Sequence, residues 1–190
     1  MIFISLYQKV HHNYTKITKT KAITQPIKTF DSHLIVEGNY YYWLDSYSMA
    51  DFILITGDKA MFNPTFGQAI VTVRPGDLIG TGKEKINQKL VCVDGDEKKV
   101  IVPGCPYMTP QYSIPGMGML SIESLAGNQK AKKTKSGGKP VLLKGASFKA
   151  KFQVMVPAQQ PSAPSPIPDA TPQYSGTGTF ITMNIKVKGT

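Results

Sequence analysis

From Met49 to the C-terminus the sequence contains no histidine; its three, His11, His12 and His33, all precede that point. Histidine is the usual general base of a nucleophilic triad and the usual partner of an activated cysteine, so that long stretch lacks both devices. Cysteine is scarce as well. Cys92 and Cys105 lie thirteen residues apart, unlike the close pairs of zinc sites, and with no secretory signal a free thiol pair is expected. Cys92 sits in an apolar alternation and reads as core, whereas Cys105, between Gly104 and Pro106, reads as an exposed turn residue. No apolar run reaches the length of a membrane span. Met1 to Leu6 is interrupted by Lys9-Val10-His11-His12 before a signal-peptide core could form. There is no GxxxxGK[ST] loop for phosphate. Acidic residues are few, 12 against 22 Lys and Arg, giving a net charge of +10 and a pI near 9.5. That balance favours polyanionic partners in a general way, diluted by lysines spread along the chain.

What is abundant is turn chemistry. Seventeen Gly and fourteen Pro in 190 residues point to an all-β, turn-rich domain of short strands. The pentapeptide Thr109-Pro110-Gln111-Tyr112-Ser113 recurs letter for letter at Thr171-Pro172-Gln173-Tyr174-Ser175. Each copy runs into a GxG and an apolar stretch, at Gly116-Met117-Gly118 and Gly176-Thr177-Gly178. A weaker third copy is Gly80-Thr81-Gly82 after Pro75-Gly76, so the chain reads as an approximate threefold internal repeat with units of uneven length. The six glycines Gly80, Gly82, Gly116, Gly118, Gly176 and Gly178 are expected to form turns, and Tyr112 and Tyr174 to pack equivalently. A second repeat, KxVxxxG, relates Lys89-Leu90-Val91 with Gly95 to Lys139-Pro140-Val141 with Gly145.

Residues 1–48 differ from the rest, with all three histidines, Trp43, six of the nine tyrosines and the single glycine Gly38. They read as an N-terminal extension or arm, a start-site misassignment or an ordinary N-terminal subdomain, and 49–190 as the β domain. Within it, strands are expected at Phe52–Thr56, Gln68–Val73, Leu90–Val93, Lys99–Val102, Pro140–Lys144, Phe148–Val156 and Gly178–Val187. Asn63 to Gly67 reads as a loop, Ser121 to Leu125 as a helical turn, and the lysine-rich Asn128 to Lys139 as a solvated loop or hairpin tip. Pro157 to Pro172, with six prolines, reads as an extended surface connection.

Chemistry is sparse. Asp94, Asp96 and Glu97 cluster, but Lys98 and Lys99 follow at once without the spacing of a calcium loop, so a polar turn is expected. The GxG units precede strands and not helix N-termini, which makes their glycines structural. A catalytic role is therefore not expected.

The segments Gly138 to Phe148 and Ile86 to Val91, with Asp94-Gly95-Asp96 and the PGxG turns, resemble the PAAR-like spike-tip proteins of contractile injection systems, type VI secretion and phage-tail-like machines among them. The resemblance spans about Met49 to Thr190. It implies a structural protein, a monomer on its own, that caps a trimeric VgrG-type spike, pierces the target envelope in transient contact with its membrane, and carries effectors. It also implies a cytoplasmic protein that is delivered when the machine fires, with no specific nucleic acid as partner. PAAR tips are similar in holding zinc through histidines and a cysteine. Here the matching region has no histidine, only Cys92 and Cys105 remain as soft ligands, and no metal or cofactor is expected. Two other readings stand beside this one: a basic β-barrel that binds polyanions or nucleic acid, and an envelope-directed hydrolase that uses Asp94 or Asp96.

Overall fold

The computed structural model describes residues 34–37, 40–43 and 50–190. The chain divides into two units, Met1–Tyr47 and Ser48–Thr190. In the first, β1 (Leu34–Glu37) pairs antiparallel with β2 (Tyr40–Trp43). The other expectations for residues 1–48 lie outside the described residues.

The second unit is built of short strands, as its glycine and proline content dictates. They are β3 (Asp51–Phe52), β4 (Lys59–Phe62), β5 (Thr65–Phe66), β6 (Ala69–Val71), β7 (Gly76–Asp77), β8 (Lys85–Ile86) and β9 (Lys89–Leu90). Longer ones follow: β10 (Ile101–Met108), β11 (Gly116–Ser124), β12 (Lys130–Ser136), β13 (Lys139–Leu142) and β14 (Ser147–Val156). Then come β15 (Gln159–Gln160), β16 (Ile167–Pro168), β17 (Gln173–Ile181) and β18 (Lys188–Gly189). Among the described residues the only helical element is a 3-10 turn at Glu97–Lys99.

Eight strands form one antiparallel sheet in the order β5-β6-β10-β11-β14-β17-β4-β7. Alternation along β14 decides its inner face: Phe148, Ala150 and Phe152 are fully buried while Lys149 and Gln153 face out. The sheet curls on itself, because Phe66 on edge strand β5 packs over Gly176 of β17, five places away in the strand order. Rings line the concave side in two groups. Phe62, Phe148 and Phe180 meet at 5.6 and 4.8 Å between centroids, and Phe66, Phe152, Tyr107 and Tyr174 are linked at 6.1, 5.1 and 5.9 Å.

Several local expectations are corrected. Ser121 belongs to β11, not to a helical turn, because Leu120 and Ile122 alternate into the core. Of the lysine-rich segment only Gly137-Gly138 is a hairpin tip; Lys130–Ser136 is strand β12, paired with β13, its inward positions filled by the small residues Ala131 and Ser136. Within the expected loop Asn63 to Gly67, Thr65 and Phe66 form strand β5, and Gly67 opens the turn of the β5–β6 hairpin. Pro103-Gly104 does not stop β10: the strand passes through a bulge between Val102 and Cys105, where Gly104 takes φ +67° and the Arg74 guanidinium holds the Pro103 carbonyl. Cys105 is consequently buried within the strand and not exposed in a turn. The terminal strand ends at Ile181; Thr182 to Val187 form a loop before β18.

Below the curled sheet lies a smaller unit, in which three extended segments form a closed ring. Leu54 N–H donates to the Leu142 carbonyl (2.9 Å), Leu142 N–H to Cys92 (2.9 Å) and Cys92 N–H to Leu54 (2.8 Å). The flanking residues close the same cycle as β-bridges: Ile55 with Val91, Val93 with Val141, and Leu143 with Ile53. Successive residues on an extended backbone point to opposite faces, so the ring divides two cores. Leu54, Cys92 and Leu142 join the main aromatic core, and the six flanking residues form a second cluster with Ala131.

Candidate functional site

The three-sided unit is the part of the molecule with a geometry that a generic β domain has no need of. Each ring segment runs into a glycine at the same offset: Ile53 to Gly57, Val91 to Gly95 and Val141 to Gly145. All three glycines have positive φ, +92°, +101° and +55°, a conformation that costs L residues with a Cβ and that turns the chain off the ring here. After two of them an aspartate closes the turn by accepting the N–H three residues back. Asp58 takes Ile55 N–H at 2.8 Å and Asp96 takes Val93 N–H at 2.9 Å. At the third side buried Gln129 serves instead. Its backbone carbonyl accepts Leu143 N–H, and its side-chain amide donates to the carbonyls of Lys144 and Ala146.

Each ring segment is entered by one strand of a two-stranded ribbon, β3 with β18, β9 with β8, and β13 with β12. Two ribbons are hairpins with two-residue turns at positive φ, Asn87 (+50°) and Gln88 (+64°), and Gly137 (+56°) and Gly138 (+84°). The third is assembled from the first and last strands of the unit. Side bonds fasten the ribbons together: Lys83 N–H to Ser136 Oγ (2.8 Å), and Thr190 N–H to Thr134 Oγ1 (3.0 Å).

The carboxylates here are consumed by structure. Asp96 is buried, which pushes its carboxyl up, but the N–H groups of Val93 and Thr81, the Thr81 hydroxyl and the Lys99 ammonium hold it below the usual carboxylate range. Asp94 forms an ion pair with Lys130 at 2.5 Å, and Glu97 accepts Gly95 N–H at 2.8 Å. Cys92 is fully buried on the ring, and burial, with Asp96 and Asp58 nearby, pushes its thiol up to about 12. Among the described residues no three His, Cys, Asp or Glu side chains gather so as to hold a metal ion. No helix among them is long and apolar enough to cross a membrane.

None of the six GxG glycines has a positive φ, and four of them lie inside strands β11 and β17. Their common feature is close approach. A Cβ on Gly116 would meet the Tyr107 ring at 2.5 Å, on Gly118 the Phe152 ring at 2.5 Å and on Gly176 the Phe66 ring at 2.5 Å, and one on Gly178 would run into the Phe148 ring closer still. A Cβ on Gly80 would strike the Val91 carbonyl at 2.5 Å, and one on Gly82 the Ser136 hydroxyl at 2.6 Å. Four of the glycines make room for aromatic rings of the curled sheet and two for the three-sided unit, so the three GxG copies do not occupy equivalent places. Tyr174 donates to buried Asp169 at 2.7 Å, and its ring lies tilted against that of Tyr107. Tyr112 lies half-buried against the core after a turn.

Sequence reasoning missed the polar residues that lock the loops, Asp58, Gln129, Asp169 and Asn184, and a set of apolar side chains turned outward. Asn184 is fully buried and bonds Ile53 O (2.9 Å), Val187 O (2.7 Å) and Val187 N–H (2.9 Å). It leaves Met183, Ile185 and Val187 exposed beside the ring segment at Ile53, with Ile185 at 74%. At the far end of the β14–β17 ladder a second exposed patch joins cross-strand neighbours Ile70 and Met108 with Pro106, Met117 and Val156. The signal for the first was present in the sequence as a strict apolar alternation from Ile181 to Val187, which faces solvent and not the core.

No curated protein matches the chain. A family model described as contractile injection system spike tip protein matches residues 49–190, which takes in the curled sheet and the whole three-sided unit. The chain therefore belongs to the contractile injection system spike tip family, and is a component of the spike or tail complex of such a machine.

Proposed function

We propose that this chain caps a trimeric VgrG-type spike as a single copy, a structural role with no catalytic step. The observation that carries this reading is the closed three-sided ring within one polypeptide. A threefold partner offers three identical surfaces, and one chain answers them only by presenting three similar segments about one axis. The ring does this with segments at residues 53–55, 91–93 and 141–143. The GxG strands β11 and β17 lie inside the sheet with both edges already paired, so neither offers a partner a free strand edge.

On this reading the chain is a monomer until assembly, waits in the cytoplasm on the loaded machine, and travels with the spike through the target envelope. The exposed patch of Ile70, Pro106, Met108, Met117 and Val156 is remote from the ring loop at Asn184 along the β14–β17 ladder. It carries no charge and contains flexible methionines, a composition suited to an effector protein as cargo.

Particles purified from cells that express the chain with an epitope tag test the assignment. Gold-labelled antibody should mark the spike end of each particle, one site per particle. Label along the tube, or a machine whose tip lacks the tag, would contradict the reading.

A further inference from the structure

The register of the three ribbons puts three lysines in the same place. Phe52, Leu90 and Pro140 each immediately precede a ring segment, and each is paired with a lysine: Lys188, Lys85 and Lys135 respectively. The next pairs outward also correspond, Asp51 with Gly189, Lys89 with Ile86 and Lys139 with Ser136. Gly189 and Ser136 are buried and Ile86 packs on the smaller core, so the neighbouring lysines face outward, and all three are exposed. They come from distant parts of the sequence, and one is supplied by the last strand of the chain.

The surroundings share this sign of charge. Residues 51–58, 78–96, 129–146 and 182–190, which build the three-sided unit, contain eleven lysines and five carboxylates. Asp58 and Asp96 are buried. Asp51 accepts the N–H groups of Phe52 and Gly145, and Asp94 is paired with Lys130. The last, Glu84, adjoins Lys85 in sequence. Beside this cationic surface the loop held by Asn184 adds the apolar side chains of Met183 and Ile185.

We propose that the three-sided unit is the docking face for the threefold end of an acidic trimeric partner, with Lys85, Lys135 and Lys188 each meeting the equivalent carboxylate of a different subunit. This rests on the spike-capping reading and assigns its contact. Three cations at corresponding positions of a closed ring match three identical anionic sites at once, whereas a featureless polyanion would not tell them from the other lysines.

The test uses the full chain and the trimeric spike protein of the same machine, with affinity measured by interferometry at fixed salt. Lys85→Glu, Lys135→Glu and Lys188→Glu should each weaken binding about tenfold, by similar factors, and the triple variant should not bind. Lys149→Glu, on the outer face of β14, should stay within about twofold of the parent. Because Lys188 also lies over the Phe52 ring, 4.8 Å from its centroid, Lys188→Gln is measured too, with thermal melting as a check on folding. If the parent fails to bind the spike, the capping reading falls and takes this assignment with it. If the parent binds and the three variants bind as well as Lys149→Glu, capping stands and the lysine assignment is overturned. Equal losses in all four would mean unspecific charge attraction and overturn it as well.

Discussion

Two repeats are written in this sequence, and the structure treats them in opposite ways. The exact one, Thr109–Ser113 and Thr171–Ser175, lies in the curled sheet and folds in two different conformations. In the first copy Thr109 N–H bonds the Tyr112 carbonyl (3.1 Å) and Tyr112 N–H bonds Thr109 Oγ1 (3.0 Å), which closes a turn after β10. In the second, Thr171 N–H is taken by Asp169 (2.9 Å), and Gln173, Tyr174 and Ser175 are already in β17 against β14. Ile114 and Pro115 stand between the first copy and its glycine; the second has no such insertion. The weak repeat, KxVxxxG, lies in the three-sided unit and folds the same way each time. A third side at Ile53 to Gly57 carries the same valine-like and glycine positions without the lysine. Structural equivalence here follows burial and turn geometry, while identical residues diverge where their neighbours differ.

The largest expected effect comes from the glycines that follow the exact repeat. Gly116→Val and Gly178→Val each place a side chain into an aromatic ring and a neighbouring backbone, and should cost about 3 kcal/mol by urea unfolding. An unchanged melting temperature in either would refute the close-approach role.

Next comes the carboxylate that makes the second copy unlike the first. Asp169 is buried and accepts from Tyr107 (2.9 Å), Tyr174 (2.7 Å) and Thr171 N–H. Asp169→Ala should therefore cost about 2–3 kcal/mol. In the three-sided unit, Asp58→Ala and Asp96→Ala should both destabilise, and Asp96→Ala more, because beyond the shared turn-closing bond Asp96 accepts from Thr81 and Lys99 while Asp58 accepts only Met183 N–H; a larger loss for Asp58→Ala would contradict the assignment.

The pH dependence follows in size. Burial alone would raise the Asp169 carboxyl, but the donors Tyr174, Thr171 and Tyr107 hold it below the ordinary value, and Asp96 is depressed likewise. A depressed carboxyl contributes its stability fully above the unfolded pKa of ~4 and loses it as pH falls through the lower folded value. The urea midpoint should fall as pH drops below about 4, and less steeply in Asp169→Asn. Parallel curves for parent and variant would contradict the assignment.

The smallest effect separates the two tyrosines. Tyr174→Phe removes a hydrogen bond to a buried carboxylate and should cost ~1 kcal/mol. Tyr112→Phe should be near neutral, because no hydrogen bond from its hydroxyl occurs among the described residues. Equal costs would restore the equivalence that the sequence suggests.

Much of the fold could be read from residues. Phe148 to Val154 alternates as a half-buried strand should, the period ending before exposed Met155 and Val156, and Asp94-Gly95-Asp96 turns where glycine permits positive φ. Strand β12 was hidden because its inward residues, Ala131 and Ser136, are small and its outward ones lysine, so no apolar period marks it. Strand β10 was cut short by Pro103-Gly104, since a one-residue bulge reads locally as a stop. The apolar alternation from Ile181 to Val187 looks like a buried face, and only the pairing of Asn184 with Ile53 shows that it points outward. The three-sided ring was half legible, in the KxVxxxG match. Its third side needed the structure, because the partner strand there is the distant β18 and not a hairpin neighbour.

The most direct measurement is native mass spectrometry of the full chain mixed with the trimeric spike protein of its machine. One chain bound per spike trimer is the expected mass. Three chains per trimer, or a homotrimer of this chain that ignores the spike, would contradict a single polypeptide serving as the threefold cap.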